Sequence, residues 1–141
     1  MKRTLKYLFV ILLLSSFSVV SAQSATEFLN KGIKLMSKQQ FENALENFEK
    51  AYKLKSNDPN ILAFRGQAKH SLNQYKEAIA DYDKALQLQS NYAEVYHLRG
   101  LAKYELKDYE GACSDWEKAN QLNYSGVIDL IIEFCMEKGK N

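Results

Sequence analysis

The sequence predicts an all-α chain, a solenoid of three stacked helical hairpins closed by a C-terminal helix. Glycines stand 34 residues apart at Gly32, Gly66 and Gly100, and four more columns of alanine and aromatic residues repeat with the same period. Within each unit the apolar residues fall at helical spacing, as Ala44, Phe48 and Ala51 do. The composition, with 46% hydrophobic residues, one proline and six glycines, permits long helices and excludes a disordered or collagen-like chain.

The chain opens on a segment of different character. Lys2, Arg3 and Lys6 precede an apolar run from Leu8 to Leu14, and Val20, Ser21 and Ala22 make a small-residue end. Basic, apolar and small in that order is the pattern of a cleaved export signal over residues 1–22, with cleavage expected between Ala22 and Gln23. An uncleaved membrane anchor is the rival reading, but it needs roughly 20 apolar residues, and serines interrupt this run early. Removing the segment takes Lys+Arg from 19 to 16 while Asp+Glu stays at 17, so residues 23–141 sit near −1. That charge predicts no nucleic-acid surface. The mature chain is expected in the periplasm or outside the cell, and not to span a membrane.

Three units follow without insertion, at residues 25–58, 59–92 and 93–126. Alanine stands twelve after each glycine (Ala44, Ala78, Ala112), an aromatic four further on (Phe48, Tyr82, Trp116), then alanine again (Ala51, Ala85, Ala119). Another aromatic falls nine after each glycine, at Phe41, Tyr75 and Tyr109. In the first half of each unit, Phe28, Leu62 and Tyr96 precede the glycine by four and mark a first helix. Polar breaks at Ser37–Gln40, Leu72–Gln74 and Leu106–Asp108 separate the two helices. Small residues let the backbones approach, and the aromatic is expected to fill the gap between units. One hairpin cannot bury both faces, so the units stack.

These columns resemble the tetratricopeptide-repeat (TPR) family over 102 of the 119 residues after the signal segment. The resemblance implies a right-handed α-solenoid that binds another protein, without enzymatic activity or a cofactor. Departures from the family pattern are Lys31, Arg65 and Arg99 in place of its leucine before the glycine, and Leu35, Lys69 and Lys103 in place of its tyrosine. The late proline is absent, although Pro59 opens the second unit, where a helix start tolerates it. Arg65 with Asp81, and Arg99 with Asp115, stand sixteen apart in equivalent places, which predicts a structural ion pair in each of the last two hairpins. The first unit has Lys31 and Asn47 there instead.

A capping helix is expected over residues 127–138, with Ser125 at its start and Val127, Leu130, Ile131 and Phe134 on its packed face. Ile128, Ile132, Cys135 and Met136 extend the apolar surface, which reads either as a well-buried cap or as a face for self-association. Cys113 and Cys135 are the only cysteines, and export favours a disulfide between them. A turn near Tyr124, eleven residues from each, sets them opposite one another on antiparallel helices. The segment Gly111–Ala119, with a cysteine in the next helix, also resembles final repeats of exported bacterial TPR proteins. A redox-active pair is the alternative, without a C-x-x-C to support it.

The resemblance further implies a concave groove lined by the first helices. Carrying its floor positions over nominates Leu29, Ile33 and Met36 from the first unit, Ala63, Gln67 and His70 from the second, and His97, Leu101 and Tyr104 from the third. Family members that hold chaperone C-termini use a carboxylate clamp of Lys, Asn and Arg at such positions, and none of these residues supplies it. The expected partner is therefore an extended or helical peptide with an apolar anchor. His70 and His97 are the only histidines, too few for a zinc site, and no nucleophile elbow or phosphate loop is present, so neither a metal nor catalysis is predicted.

Overall fold

A computed structural model describes residues 24–136; the expected signal segment 1–22 and the last two residues of the predicted cap, 137–138, lie outside the described residues. The fold is all-α. Helix α1 covers 24–36, followed by α2 (Phe41–Leu54), α3 (Pro59–Ser71), α4 (Tyr75–Leu88), α5 (Ala93–Glu105) and α6 (Tyr109–Gln121). Each predicted unit is one antiparallel pair, α1 with α2, α3 with α4, and α5 with α6. Asp58 caps α3, its carboxylate accepting from the amides of Asn60 at 2.9 Å and Ile61 at 3.4 Å, with Pro59 in the first turn. Asp108 caps α6 by accepting from Gly111 N at 3.0 Å.

The polar breaks close each first helix in the same way. Gln39, Asn73 and Lys107 adopt φ of 59°, 59° and 65°, left-handed positions filled here without glycine. The residue after each donates back across the turn: Gln40 N to Leu35 O, Gln74 N to Lys69 O and Asp108 N to Lys103 O, at 3.0, 2.9 and 2.9 Å. This is the Schellman arrangement, which satisfies carbonyls that a helix end otherwise leaves free.

The glycine column has a steric cause. A Cβ on Gly66 would lie 2.6 Å from Tyr82 Cε1, and one on Gly100 would lie 2.5 Å from Trp116 Nε1; Phe48 crowds Gly32 in the same manner. Each aromatic of the second helix thus lies flat on the glycine of its own first helix. The rings also reach the next layer: Phe48 stacks on Phe64 with centroids 5.9 Å apart, and Trp116 meets Phe134 at 6.3 Å. Phe48, Tyr82 and Trp116 are the largest fully buried side chains, so the core runs as a spine of rings between small residues.

The last helical segment differs from expectation. It starts as a 3₁₀ turn at Ser125–Val127, continues through one α turn, Ile128–Leu130 (α7), and widens into a π-helical run, Ile131–Met136. Ser125 does not cap it, because it is already the first residue of the 3₁₀ turn and no side chain caps that start. Its register is also shifted. Val95 and Val127 are both fully buried, Val95 in the cluster of Ala85 and Val127 in that of Ala119. The alanines are 34 apart and the valines 32, so this segment takes the place of a fourth first helix with two residues removed.

The cause of the shift is local. Lys55 and Gln89 leave α2 and α4 with φ of −145° and −140°, whereas Asn123, at the same unit position, turns left-handed at 64°. Ile128 and Ile132 then match Tyr96 and Gly100, residues that face the second helix of their own unit. With no second helix against them among the described residues, they are exposed at 46% and 51%, and Met136 at 64%. The stripe is an open apolar face and not a buried one.

Candidate functional site

The residues nominated for the groove fall along α1, α3 and α5. Leu29, Ile33 and Met36 are half-buried against the cluster of Ala44, Phe48 and Ala68. Ala63 is only 5% exposed, so it closes the floor without presenting a group. Gln67 and His70 are half-buried on α3. On α5, His97, Leu101 and Tyr104 are half-buried too, and the chain after α6 reaches them. His97 stacks on Tyr124 at 5.2 Å between centroids, Tyr104 lies 4.8 Å from Phe134, and Leu101 packs on the cluster of Trp116 and Val127.

Between α3 and α5 a shallow cleft is lined by Ala63, Phe64, Gln67, Tyr92, Glu94, Val95 and Leu98. Phe64 and Leu98 make its apolar walls, and Glu94 stands exposed on it. The Tyr92 hydroxyl donates to Asn60 Oδ1 at 3.0 Å, tying the start of α3 to that of α5. Phe64, Tyr92 and Leu98 were not among the sequence-nominated residues. Phe64 and Leu98 are themselves one repeat apart, directly after nominated floor positions, and that recurrence is the signal that points to them.

Burial disfavours the charged form of both histidines. Burial lowers the pKa of His70, with Glu105 pulling the other way, and burial alone lowers that of His97. His70 Nε2 and His97 Nδ1 are buried without a hydrogen-bond partner among the described residues. Among those residues no group of three or more His, Cys, Asp or Glu is placed to hold a metal ion.

The charged residues away from the groove tie helices together. Arg65 grips the nearly buried Asp81 with two donors, Nε to Oδ2 at 2.8 Å and Nη2 to Oδ1, and Lys69 adds a third at 2.7 Å. Burial opposes the guanidinium charge, but the Asp81 carboxylate outweighs it and holds Arg65 above its ordinary pKa. The Arg65 guanidinium also lies 3.8 Å from the Tyr52 ring centroid. Arg99 grips Asp115 at 2.9 and 2.6 Å, Lys103 joins at 2.8 Å, and Arg99 Nη1 reaches back to Asp83 of the preceding unit at 2.6 Å. In the sequence Lys69 and Lys103 stand only as departures from the family tyrosine, and neither they nor Asp83 carry a signal of these ion pairs. In the first unit Asn47 only donates to Asn43 O, at 2.8 Å. Cys113 of α6 and Cys135 of the π-helical run are joined by a disulfide with Cα atoms 5.7 Å apart.

Solved structures share this architecture. The first TPR of Spaghetti (RPAP3), bound to HSP90 peptide SRMEEVD, superposes with a TM-score of 0.79 at 22% identity, over 84% of this chain and 95% of that one. The TPR domain of Arabidopsis OM64 gives 0.78 at 22% identity, over 84% and 98%. The TPR2B domain of yeast Sti1, in a complex with pHsp70, gives 0.75 at 22%, again over 84% and 98%. Likeness at such identities establishes the fold. No curated protein matches in a sequence comparison. A family model described as TPR repeat matches residues 66–107, and one described as Tetratricopeptide repeat matches 28–58 and 93–125. With three hairpins in phase, each ring laid on its own glycine, the chain belongs to the tetratricopeptide-repeat family.

Proposed function

We propose that this chain is a non-enzymatic interaction scaffold of the bacterial envelope, exported and freed of residues 1–22, which holds a peptide or helix of a partner protein in its groove. The observation that carries this reading is the apolar cleft between Phe64 and Leu98 on the first-helix face, with polar groups at its edge. Peptide-bound neighbours of the same fold support it. Among the described residues no helix is long and apolar enough to cross a membrane, which is compatible with a released mature chain. The Arg65–Asp81 and Arg99–Asp115 pairs and the disulfide then serve to hold the scaffold rigid.

A photo-crosslinking residue at Gln67 tests the groove in the native host. Adducts with one partner protein, identified by mass spectrometry, support the reading; absence of any adduct above that of an α6 surface position refutes it. The mass of the exported protein tests cleavage, which predicts loss of the first 22 residues.

A second reading is self-association through the last helix, favoured by the exposed stripe of Ile128, Ile132 and Met136. Light scattering checks it: a dimer that dissociates on Ile132→Asp supports this reading, and a monomer at all concentrations excludes it.

A further inference from the structure

The charge around the cleft is of one sign. The acidic residues of α3 and α5 are Glu94, which lines the cleft, and Glu105, whose charge reaches the nominated His70; both are exposed and both lie on α5. The shifted register of the last helix extends the series, because Asp129 and Glu133 fall at the places of His97 and Leu101 and are exposed. The Lys and Arg side chains of α3 and α5 are all engaged elsewhere, Arg65 and Lys69 on Asp81, Arg99 and Lys103 on Asp115. The half of the groove from α3 onward therefore combines apolar walls with carboxylates alone. Like charges along a concave wall reinforce one another's potential and steer oppositely charged ligands.

From this we infer that the groove selects a basic partner segment, one with a small apolar side chain against the shallow cleft between Phe64 and Leu98 and lysine or arginine on either side of it. The inference rests on the groove-binding reading above and adds the partner's chemistry. An acidic peptide such as the SRMEEVD held by two neighbours would instead meet these carboxylates with the Lys and Arg side chains of α3 and α5 already paired.

Selection of a random-peptide library on the immobilised protein, followed by fluorescence anisotropy of the enriched peptides, tests it. Enriched peptides should carry net positive charge and weaken with added salt. Glu94→Lys with Glu105→Lys should weaken them about tenfold at low salt, and the milder Glu94→Gln with Glu105→Gln about threefold, with circular dichroism confirming the fold of each. Glu117→Lys, exposed on α6, should leave binding unchanged. Enriched peptides that are neutral or acidic, yet lost on Gln67→Trp, would overturn the charge inference and leave the groove reading standing. No enrichment at all, or binding indifferent to Gln67→Trp, would overturn both.

Discussion

Replacing Gly66 with alanine sets two effects of opposite sign against each other. In an exposed helix interior the change gains about 1 kcal/mol of helix propensity. Here the new Cβ would lie 2.6 Å from Tyr82 Cε1, 2.9 Å from Cδ1 and 3.1 Å from Cζ. Ordinary contact between carbons is about 3.5–4.0 Å, so the ring must retreat by roughly 1 Å. It has little room to do so, since Tyr82, Ala78, Ala85, Val95 and Ala102 are all 0% exposed and share one cluster. Overpacking costs about 1–3 kcal/mol, and a rigid ring wedged on helix backbone belongs at the upper end. The net effect is a loss of about 1–2 kcal/mol, read as a lower urea midpoint by far-UV circular dichroism. In a Tyr82→Leu background the ring edge is gone, and the same change should be neutral or stabilising by up to about 1 kcal/mol. That reversal of sign is the signature of the contact. Stabilisation by Gly66→Ala in the natural chain would refute the account of the glycine column.

Three further outcomes follow from the geometry. The disulfide spans a separation of 22 residues, so its reduction should lower stability by about 3 kcal/mol. Protection from hydrogen exchange should fall first in the last helix, and an unchanged unfolding midpoint on reduction counts against this. Asp81→Ala strands Arg65 and Lys69, whose side chains are 12% and 16% exposed, at a cost of about 3–5 kcal/mol. Asp115→Ala should cost less because Arg99 keeps Asp83; equal losses in urea unfolding contradict that ordering. His70 and His97 have pKa values lowered by burial from 6.5, so the folded chain binds fewer protons than the unfolded one. The histidines' contribution to stability is therefore present above pH 6.5 and declines as the pH falls below that value. The melting temperature should drop between about pH 7 and about pH 5, less so in a His70→Gln, His97→Gln variant; parallel pH profiles for the two proteins would exclude the histidines as the cause.

What was legible in the sequence is what burial repeats. Gly, Ala and aromatic columns recur because every unit meets the same neighbours, and Arg65–Asp81 was readable because Arg99–Asp115 copies it. Features set by reach were not readable. Lys69 and Lys103 reach the same aspartates because they stand one helical turn after each arginine, where the family carries tyrosine. Asp83 enters only through the packing of one unit on the next. The cleft escaped notice because the side chains of Phe64 and Leu98 look equally suited to core or surface. The register of the last helix hangs on one backbone angle at Asn123, left-handed where Lys55 and Gln89 keep negative φ at that unit position; residue type does not announce it, since Gln39 and Lys107 are left-handed elsewhere.

That one angle separates the two functional readings. Two residues lost at the exit of α6 turn Ile128 and Ile132 toward the side where a second helix would stand, and bring Asp129 and Glu133 to the register of the groove. The apolar stripe and the acidic edge are thus neighbouring sides of one helix and need not act together. Ile132→Asp removes apolar surface from the stripe alone and should abolish any self-association while leaving peptide affinity intact. Glu94→Lys with Glu105→Lys lies on α5 and should do the reverse. Light scattering and anisotropy on the same two variants read both surfaces. Loss of peptide binding in Ile132→Asp would mean that the groove is completed only by a second copy, and the two readings would then collapse into one.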